Sequence, residues 1–446
     1  MTALTRHAHS GRNGPLPQNR SSIVAVLDIG SSKICCIIAK LKPRTHGSGL
    51  PGPGLPGHSH DISVLGIGHQ LSRGVKGGVI VDMDAAEHAI RSAVEAAERM
   101  AGITVESVIL NISCGRIHSE AFSASVSIDG HEVVERDIQR VLHAGREYSA
   151  DDSRYVVHSI PLGYTLDGQN GIRDPRGMLG GTLGVDIHVV SADPAPLRNL
   201  SLCISRCHLK IAAMVATPYA SGLSCLVNDE AELGVLVIDM GGGTTSASIF
   251  CNGGFIYADV VTLGGKHVTN DIARGLSTTL GDAERIKSLY GTALPSQSDE
   301  REIISVPLVG DDGTDAVNQV PKSMLTGIIR PRLEETLELV RDRFNASGFA
   351  RYAGKHAVLV GGASQLQGAR EVAARILGKQ VRIGRPLGIS GMPEATSGPA
   401  FAAIAGLLQY PQIEGGEAID FQNLTPRKVA AGGYVARVGQ WIRESF

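Results

Sequence analysis

Two segments of this chain carry one signature, an apolar run that ends in aspartate and opens into a loop of small residues. The first reads Ile23-Val24-Ala25-Val26-Leu27-Asp28-Ile29-Gly30-Ser31-Ser32-Lys33, and the second reads Val235-Leu236-Val237-Ile238-Asp239-Met240-Gly241-Gly242-Gly243-Thr244-Thr245. Each run predicts a buried strand, and in both copies a second apolar run follows at once, residues 34–39 and 246–250. The second copy then turns at Asn252-Gly253, a strong hairpin signal. A strand, tight turn, strand unit with a carboxylate at the bend lets backbone N–H groups approach an anion while the carboxylate holds a hydrated cation. One copy alone would be only a strand end with a turn. Two copies at the heads of two halves of the chain predict half-sites that face each other and grip one nucleoside triphosphate. Lys33 is placed to touch a phosphate as a point charge, and Thr244 and Thr245 to donate hydroxyls.

At 446 residues the chain exceeds one ordinary core, so at least two lobes are expected. Low aromatic content and 55 glycines fit a compact α/β protein that packs through Ala, Val, Ile and Leu at close turns. The net charge of −2 offers no global basic field for nucleic acid, which argues against duplex binding. The seven cysteines show no paired short spacing of a structural zinc site and suit a reducing cytosol. Cys203, Cys207 and His208 lie close in sequence but fall short of a full tetrahedral ligand set, and the same spacing lines a helix core. Residues 1–20 lack the apolar core of a secretory signal and read as a disordered tail. No apolar run approaches the roughly 20 residues that span a bilayer, so any membrane contact is expected to be peripheral.

Composition divides the chain further. Residues 21–113 and 191–212 are expected to form a first large lobe, with the Pro- and Gly-rich stretch 42–60 as an expanded hairpin loop. Residues 114–190, with short alternating runs at 122–128 and 155–160 around a polar helix over 135–148, read as a small inserted α+β lobe. A second large lobe is expected over 213–264 and 333–410, and a second small lobe over 265–332, with helices at 268–275 and 282–290 and a polar hairpin near 309–320. A helix over 332–344 then returns the chain to the second large lobe. Gly361-Gly362-Ala363 follows an apolar strand and supplies a third loop free of bulk. Gly66-Ile67-Gly68 begins like a dinucleotide fingerprint, but Leu71 stands where the third glycine belongs and no crossover helix follows at once. Neither a Ser–His–Asp nor a Cys–His arrangement is visible, and no carboxylate marks itself as the base of a sugar kinase.

Residues 411–433 form a polar, Gly-rich linker, and residues 434–446 regain helical patterning. Val435, Val438 and Ile442 share one face of that helix with Trp441 beside them, while Arg437 and Arg443 lie opposite. Such a helix could dock on its own globule, but a tethered amphipathic helix with Trp and Arg suits a lipid headgroup boundary.

The two Asp-bearing loops and the third glycine loop resemble the actin, Hsp70 and sugar-kinase superfamily. Ser72-Arg73-Gly74-Val75-Lys76-Gly77-Gly78-Val79 before Asp82, Val381-Arg382-Ile383-Gly384-Arg385-Pro386 before Gly388-Ile389-Ser390-Gly391, and the terminal helix resemble the bacterial FtsA cell-division family. That resemblance implies a duplicated actin-like (ribonuclease H-like) two-lobe fold with four subdomains, the first small lobe relocated to 114–190. It implies ATP and Mg2+ in the central cleft with at most weak ATPase activity, and no residue identifies itself as the one that positions the attacking water. Asp28 and Asp239 would orient the metal through water. Gly30, Ser31, Ser32, Gly241, Gly242, Gly243 and Thr244 would bind phosphate, and Glu284, Lys287, Gly361, Gly362 and Ala363 would surround the adenosine. The implied partners are the C-terminal peptide of the tubulin-like protein FtsZ, further copies of the chain in a filament, other divisome proteins and the cytoplasmic face of the cell membrane at the septum. Lys322, Arg330 and Arg332 are the candidate cations for the FtsZ peptide, although Asn318 stands where relatives can carry Arg. A small-molecule kinase, or another actin-like scaffold such as a pilus-assembly protein, remains the alternative.

Overall fold

The computed structural model describes residues 20–44, 59–148, 153–309 and 317–413. The tail 1–19, most of the 42–60 expansion and everything beyond residue 413 lie outside the described residues, including Val435, Arg437, Val438, Trp441, Ile442 and Arg443 of the expected membrane helix.

Strands β1 (Ser22–Ile29), β2 (Lys33–Pro43) and β3 (His60–Leu71) form an antiparallel meander in which Pro43 stands opposite His60. The Pro- and Gly-rich expansion therefore interrupts a hairpin, as its composition predicts. A short hairpin, β4 (Val75–Lys76) with β5 (Val79–Ile80), leads to helix α1 (Met83–Ala101), capped by the Asp82 side chain and ended by Gly102 in the left-handed region. A Cβ at Gly66 or Gly68 would fall 2.2 Å from the Ala97 carbonyl oxygen or 1.7 Å from that of Ala93. These glycines serve the close approach of α1 to β3. Strand β6 (Ser107–Ile112) then runs parallel to β1.

The inserted lobe contains β7 (His118–Ser127), α2 (Glu135–Tyr148), β8 (Tyr155–Leu166), β9 (Gln169–Ile172) and β10 (Thr182–Ala192), in the sheet order β7-β10-β8-β9. Central β10 is almost wholly buried, so it shows no polar alternation by which its sequence could announce a strand. Helix α3 (Pro194–Arg206), along which Cys203 is buried, leads to β11 (Lys210–Ala216), which pairs with β6. The first sheet thus extends past residue 212, the expected boundary.

Helices α4 (Thr217–Cys225) and α5 (Asn228–Leu233) lead into β12 (Val235–Met240), β13 (Thr245–Cys251) and β14 (Gly254–Val261). Asn252 and Gly253 take φ of 52° and 75°, the two positive values of the expected hairpin turn. The second small lobe follows, with α6 (Gly265–Gly275), α7 (Leu280–Tyr290), the hairpin β15 (Ile303–Pro307) and β16 (Val317–Pro321), and α8 (Lys322–Ala346). Helix α8 begins ten residues before the expected 332 because its buried face, Leu325, Ile329, Leu333 and Leu337, continues at four-residue spacing through Pro331. Strand β17 (His356–Val360), α9 (Ala369–Leu377) and β18 (Gln380–Ile383) complete the second sheet.

The two large sheets repeat one topology. The first runs β11-β6-β1-β2-β3 and the second β18-β17-β12-β13-β14, with antiparallel pairing in each meander and parallel pairing beyond it. One correction concerns the stretch 333–410, expected in the second large lobe throughout. Strand β19 (Ile389–Ser390) pairs with β3, and α10 (Ala402–Gln409) packs on α4 and β1, so the chain returns to the first lobe. Helix α10 is buried on every side and therefore shows no amphipathic period.

The inserted lobe is tied to edge strand β14. The Ser119 hydroxyl donates to the Ala258 carbonyl at 3.0 Å and accepts from the Ala258 N–H at 2.7 Å. Beside it, fully buried His188 lies 3.0 Å from the Ser119 hydroxyl and edge-on to Phe255 at 4.9 Å. Burial pushes this imidazole from 6.5 down to about 3. The unfolded chain takes up the proton first, so stability from this group is full above about pH 6.5 and falls by about 1.4 kcal/mol per pH unit below it. Urea midpoints measured from pH 7 to pH 5 should therefore decline less steeply for His188→Gln than for the parent chain.

Candidate nucleotide cleft

The two Asp-bearing turns have the same local geometry. Gly30 N–H donates to the Lys33 carbonyl at 3.0 Å, and Gly241 N–H donates to the Thr244 carbonyl at 2.9 Å. In each, the aspartate is the last but one residue of its strand, Asp28 opposite Cys35 and Asp239 opposite Ser246. The turns meet face to face. A Cβ at Gly242 would lie 1.9 Å from Ser32 Oγ, and one at Gly243 would lie 2.3 Å from Ser31 Oγ. Side chains at these glycines would force the loops apart, which is the physical reason for the small-residue run.

Both carboxylates are buried, and each accepts from one side-chain donor. Asp28 Oδ1 accepts from Asn111 Nδ2 at 2.7 Å, and Asn111 Nδ2 also lies 3.2 Å from Thr217 Oγ1. Asp239 Oδ2 accepts from Ser221 Oγ at 2.5 Å. Thr217 and Ser221 are four apart and share one face of α4, so one helix bonds Asp239 directly and reaches Asp28 through Asn111. Sequence reasoning missed Asn111, Thr217 and Ser221. Burial raises the Asp28 carboxyl, against the pull of Lys33 and Asn111. It pushes Asp239 up to about 6, opposed by the Ser221 bond and reinforced by the negative charge of Asp28. Two desolvated carboxylates that disfavour each other's charge, beside backbone too closely approached to admit side chains, form a donor set that fits a hydrated divalent cation next to phosphate.

The third loop joins them. Gly361 takes φ of 84°, and a Cβ there would lie 2.3 Å from Asp239 Oδ1. Ala363 borders Gly265, since a Cβ on Gly265 would meet the Ala363 methyl at 3.1 Å. Lys287 Nζ donates to the Gly265 carbonyl at 3.2 Å, to Thr269 Oγ1 at 2.8 Å and to Glu284 Oε2 at 2.7 Å. Burial would raise Glu284, but the bonds from Lys287 and Thr269 prevail and hold it below the usual range. Glu284, Lys287 and Ala363 are thereby brought to one edge of the cleft.

Other expected residues already have partners on this chain. Lys33 Nζ donates to the Ala400 carbonyl at 2.6 Å and stands 3.2 Å from the Phe401 ring centroid. The Thr245 hydroxyl is buried and donates to the Leu263 carbonyl at 2.8 Å, which leaves the half-buried Thr244 as the hydroxyl nearer solvent. Lys322 pairs with Glu302 at 2.9 Å, Arg330 with Glu334 at 2.7 Å, and Arg332 with Asp271 at 2.5 Å and with Glu335. Each of these three cations already has a carboxylate partner on its own chain. The cleft holds one further ammonium, that of Lys266, which the Gly264-Gly265-Lys266 sequence at the start of α6 could have signalled.

Comparison with known proteins agrees with this architecture. A family model described as "Cell division protein FtsA" matches residues 236–406, and one described as "SHS2 domain inserted in FTSA" matches residues 114–191, the inserted lobe. The chain is 52% identical over 432 residues to the cell division protein FtsA of Rhizobium meliloti, covering 97% of each. It is 32% identical to that of Neisseria meningitidis over 96% of this chain and 100% of the relative, and 30% identical to that of Escherichia coli K12 over 95% and 98%. Among solved structures, the PilM-PilN type IV pilus biogenesis complex aligns with 87% of this chain and 98% of the solved chain at a TM-score of 0.58 and 16% identity, a likeness of fold.

Proposed function

The chain belongs to the FtsA family of cell-division proteins, and from that membership and its actin-like fold we propose that it binds ATP with Mg2+ in the central cleft, polymerises on the cytoplasmic membrane and tethers FtsZ filaments there. The observation that carries the nucleotide part is the pair of matched Asp-bearing turns, packed Gly242 against Ser32 and Gly243 against Ser31. Bound ATP and magnesium would supply the charge that joins one lobe to the other. The N–H groups of residues 30–32 and 241–244 hold phosphate oxygens, Asp28 and Asp239 orient the metal's waters, and Glu284, Lys287 and residues 361–363 border the adenosine. The lobes are closed by this grip, and the closed form is the one that stacks into filaments.

Residues 434–446 supply the membrane contact. Val435, Val438, Trp441 and Ile442 enter the headgroup boundary while Arg437 and Arg443 face anionic lipid. So short an apolar face binds weakly as a single copy, and a filament multiplies it. The second small lobe takes the C-terminal peptide of FtsZ, where Lys322, Arg330 and Arg332 must exchange an internal carboxylate for the peptide's. Flotation of labelled FtsZ on liposomes with ATP, comparing the full chain with one ending at Gly433, tests this reading. FtsZ should float with the full chain and stay in the dense fraction with the shortened one. A full chain that itself fails to float would refute the membrane role.

A further inference from the structure

The second lobe sends one ammonium across the cleft. Lys266 is the second residue of α6, and its backbone N–H is fixed on the Gly242 carbonyl at 2.8 Å. Its Nζ reaches the Ser31 carbonyl in the opposite loop at 2.5 Å. The side chain therefore starts at one phosphate loop and ends at the other. Lys33, the cation expected to serve here, bonds the Ala400 carbonyl and stands over the Phe401 ring while its charge acts on Asp28 and Asp239.

A backbone carbonyl is a neutral acceptor, and a charged oxygen bonds an ammonium about twice as strongly. An anion seated on the N–H groups of residues 30–32 competes for Nζ with the Ser31 carbonyl on favourable terms. Burial and the neighbouring charge of Lys287 disfavour the protonated amine, with Glu284 compensating in part, so a further negative group nearby relieves the site. Ser31 is also where the loops touch, through Gly243, and its Oγ is held from its own lobe by the Gly78 N–H of the β4–β5 turn at 3.2 Å. With the adenosine bordered by Glu284, Lys287 and residues 361–363 on the second lobe, a phosphate chain that crosses to the opposite loop would reach Ser31 with its last phosphate.

We infer that Lys266 grips the terminal phosphate of a nucleoside triphosphate and so distinguishes it from the diphosphate, an assignment that rests on the nucleotide reading above. The test uses the full chain with magnesium and measures Kd for ATP and for ADP by displacement of a fluorescent ATP analogue. Lys266→Met should weaken ATP by about tenfold and ADP by less than about threefold, and Lys266→Arg should restore most of the preference. Lys266→Gln gives the same readout should the methionine variant fail to fold. A lysine that merely ties the lobes together would move both affinities equally, and equal or absent shifts overturn the inference while leaving the nucleotide site intact. A parent chain that binds neither nucleotide overturns both.

Discussion

Asp239→Asn is expected to lower the affinity for magnesium–ATP by about 100-fold, the upper range for groups that hold a metal through its outer shell. The same change should make the nucleotide-free protein more stable. The carboxyl is pushed to about 6 from an ordinary 3.8, chiefly by burial. The folded chain thus holds the proton more tightly than the unfolded one. Ionised Asp239 opposes folding fully above about pH 6 and not at all below 3.8, and the penalty at neutral pH is about 3 kcal/mol. Asparagine keeps the shape and can still accept from Ser221 while removing the buried charge. Thermal melts at pH 7.5 should show a higher midpoint for the variant without nucleotide and no further rise on adding magnesium–ATP, whereas the parent rises. A variant that starts lower and still gains from the nucleotide would refute the role of Asp239 in the cleft.

The other large effect is expected far from any charge. A Cβ at Gly406 would stand 1.7 Å from the Ala220 carbonyl oxygen and 2.4 Å from its carbon. Helices α10 and α4 are buried along their whole lengths and cross there backbone to backbone, with α4 against β12 and α10 against β1. Gly406→Val must push the helices apart at the joint between the lobes, where no flexible side chain can yield, and should destabilise by about 3 kcal/mol or more. Gly406→Ala sharpens the test, since alanine favours a free helix by about 1 kcal/mol. A urea midpoint below the parent's is expected for both variants, and a stabilised alanine variant would mean that the crossing is not tight. Because α4 also carries Thr217 and Ser221, loosening the crossing should weaken nucleotide binding as well.

These two positions differ in how far the sequence alone reveals them. Asp239 is legible because a buried strand ending in Asp and small residues is a local pattern, repeated around Asp28, and repetition needs no knowledge of contacts. The hairpin at Asn252-Gly253 and the 114–190 insertion are legible for the same reason, since turn chemistry and periodicity act between near neighbours. Gly406 gives no such signal. It lies in an apolar run whose every side is buried, where amphipathic period vanishes.

Local pattern along the chain specifies the duplicated Asp-bearing turns and the glycines that keep them narrow. Long-range packing selects which side chains surround them. It turned Lys33 toward Ala400 and Phe401, brought Lys266 to Ser31, placed Asn111 and Ser221 under the two carboxylates, and carried Ile389 to Gln409 back to the first lobe. Those partners are separated by long stretches of chain, and their meeting is fixed by how sheets and helices pack, which no local pattern of residues encodes.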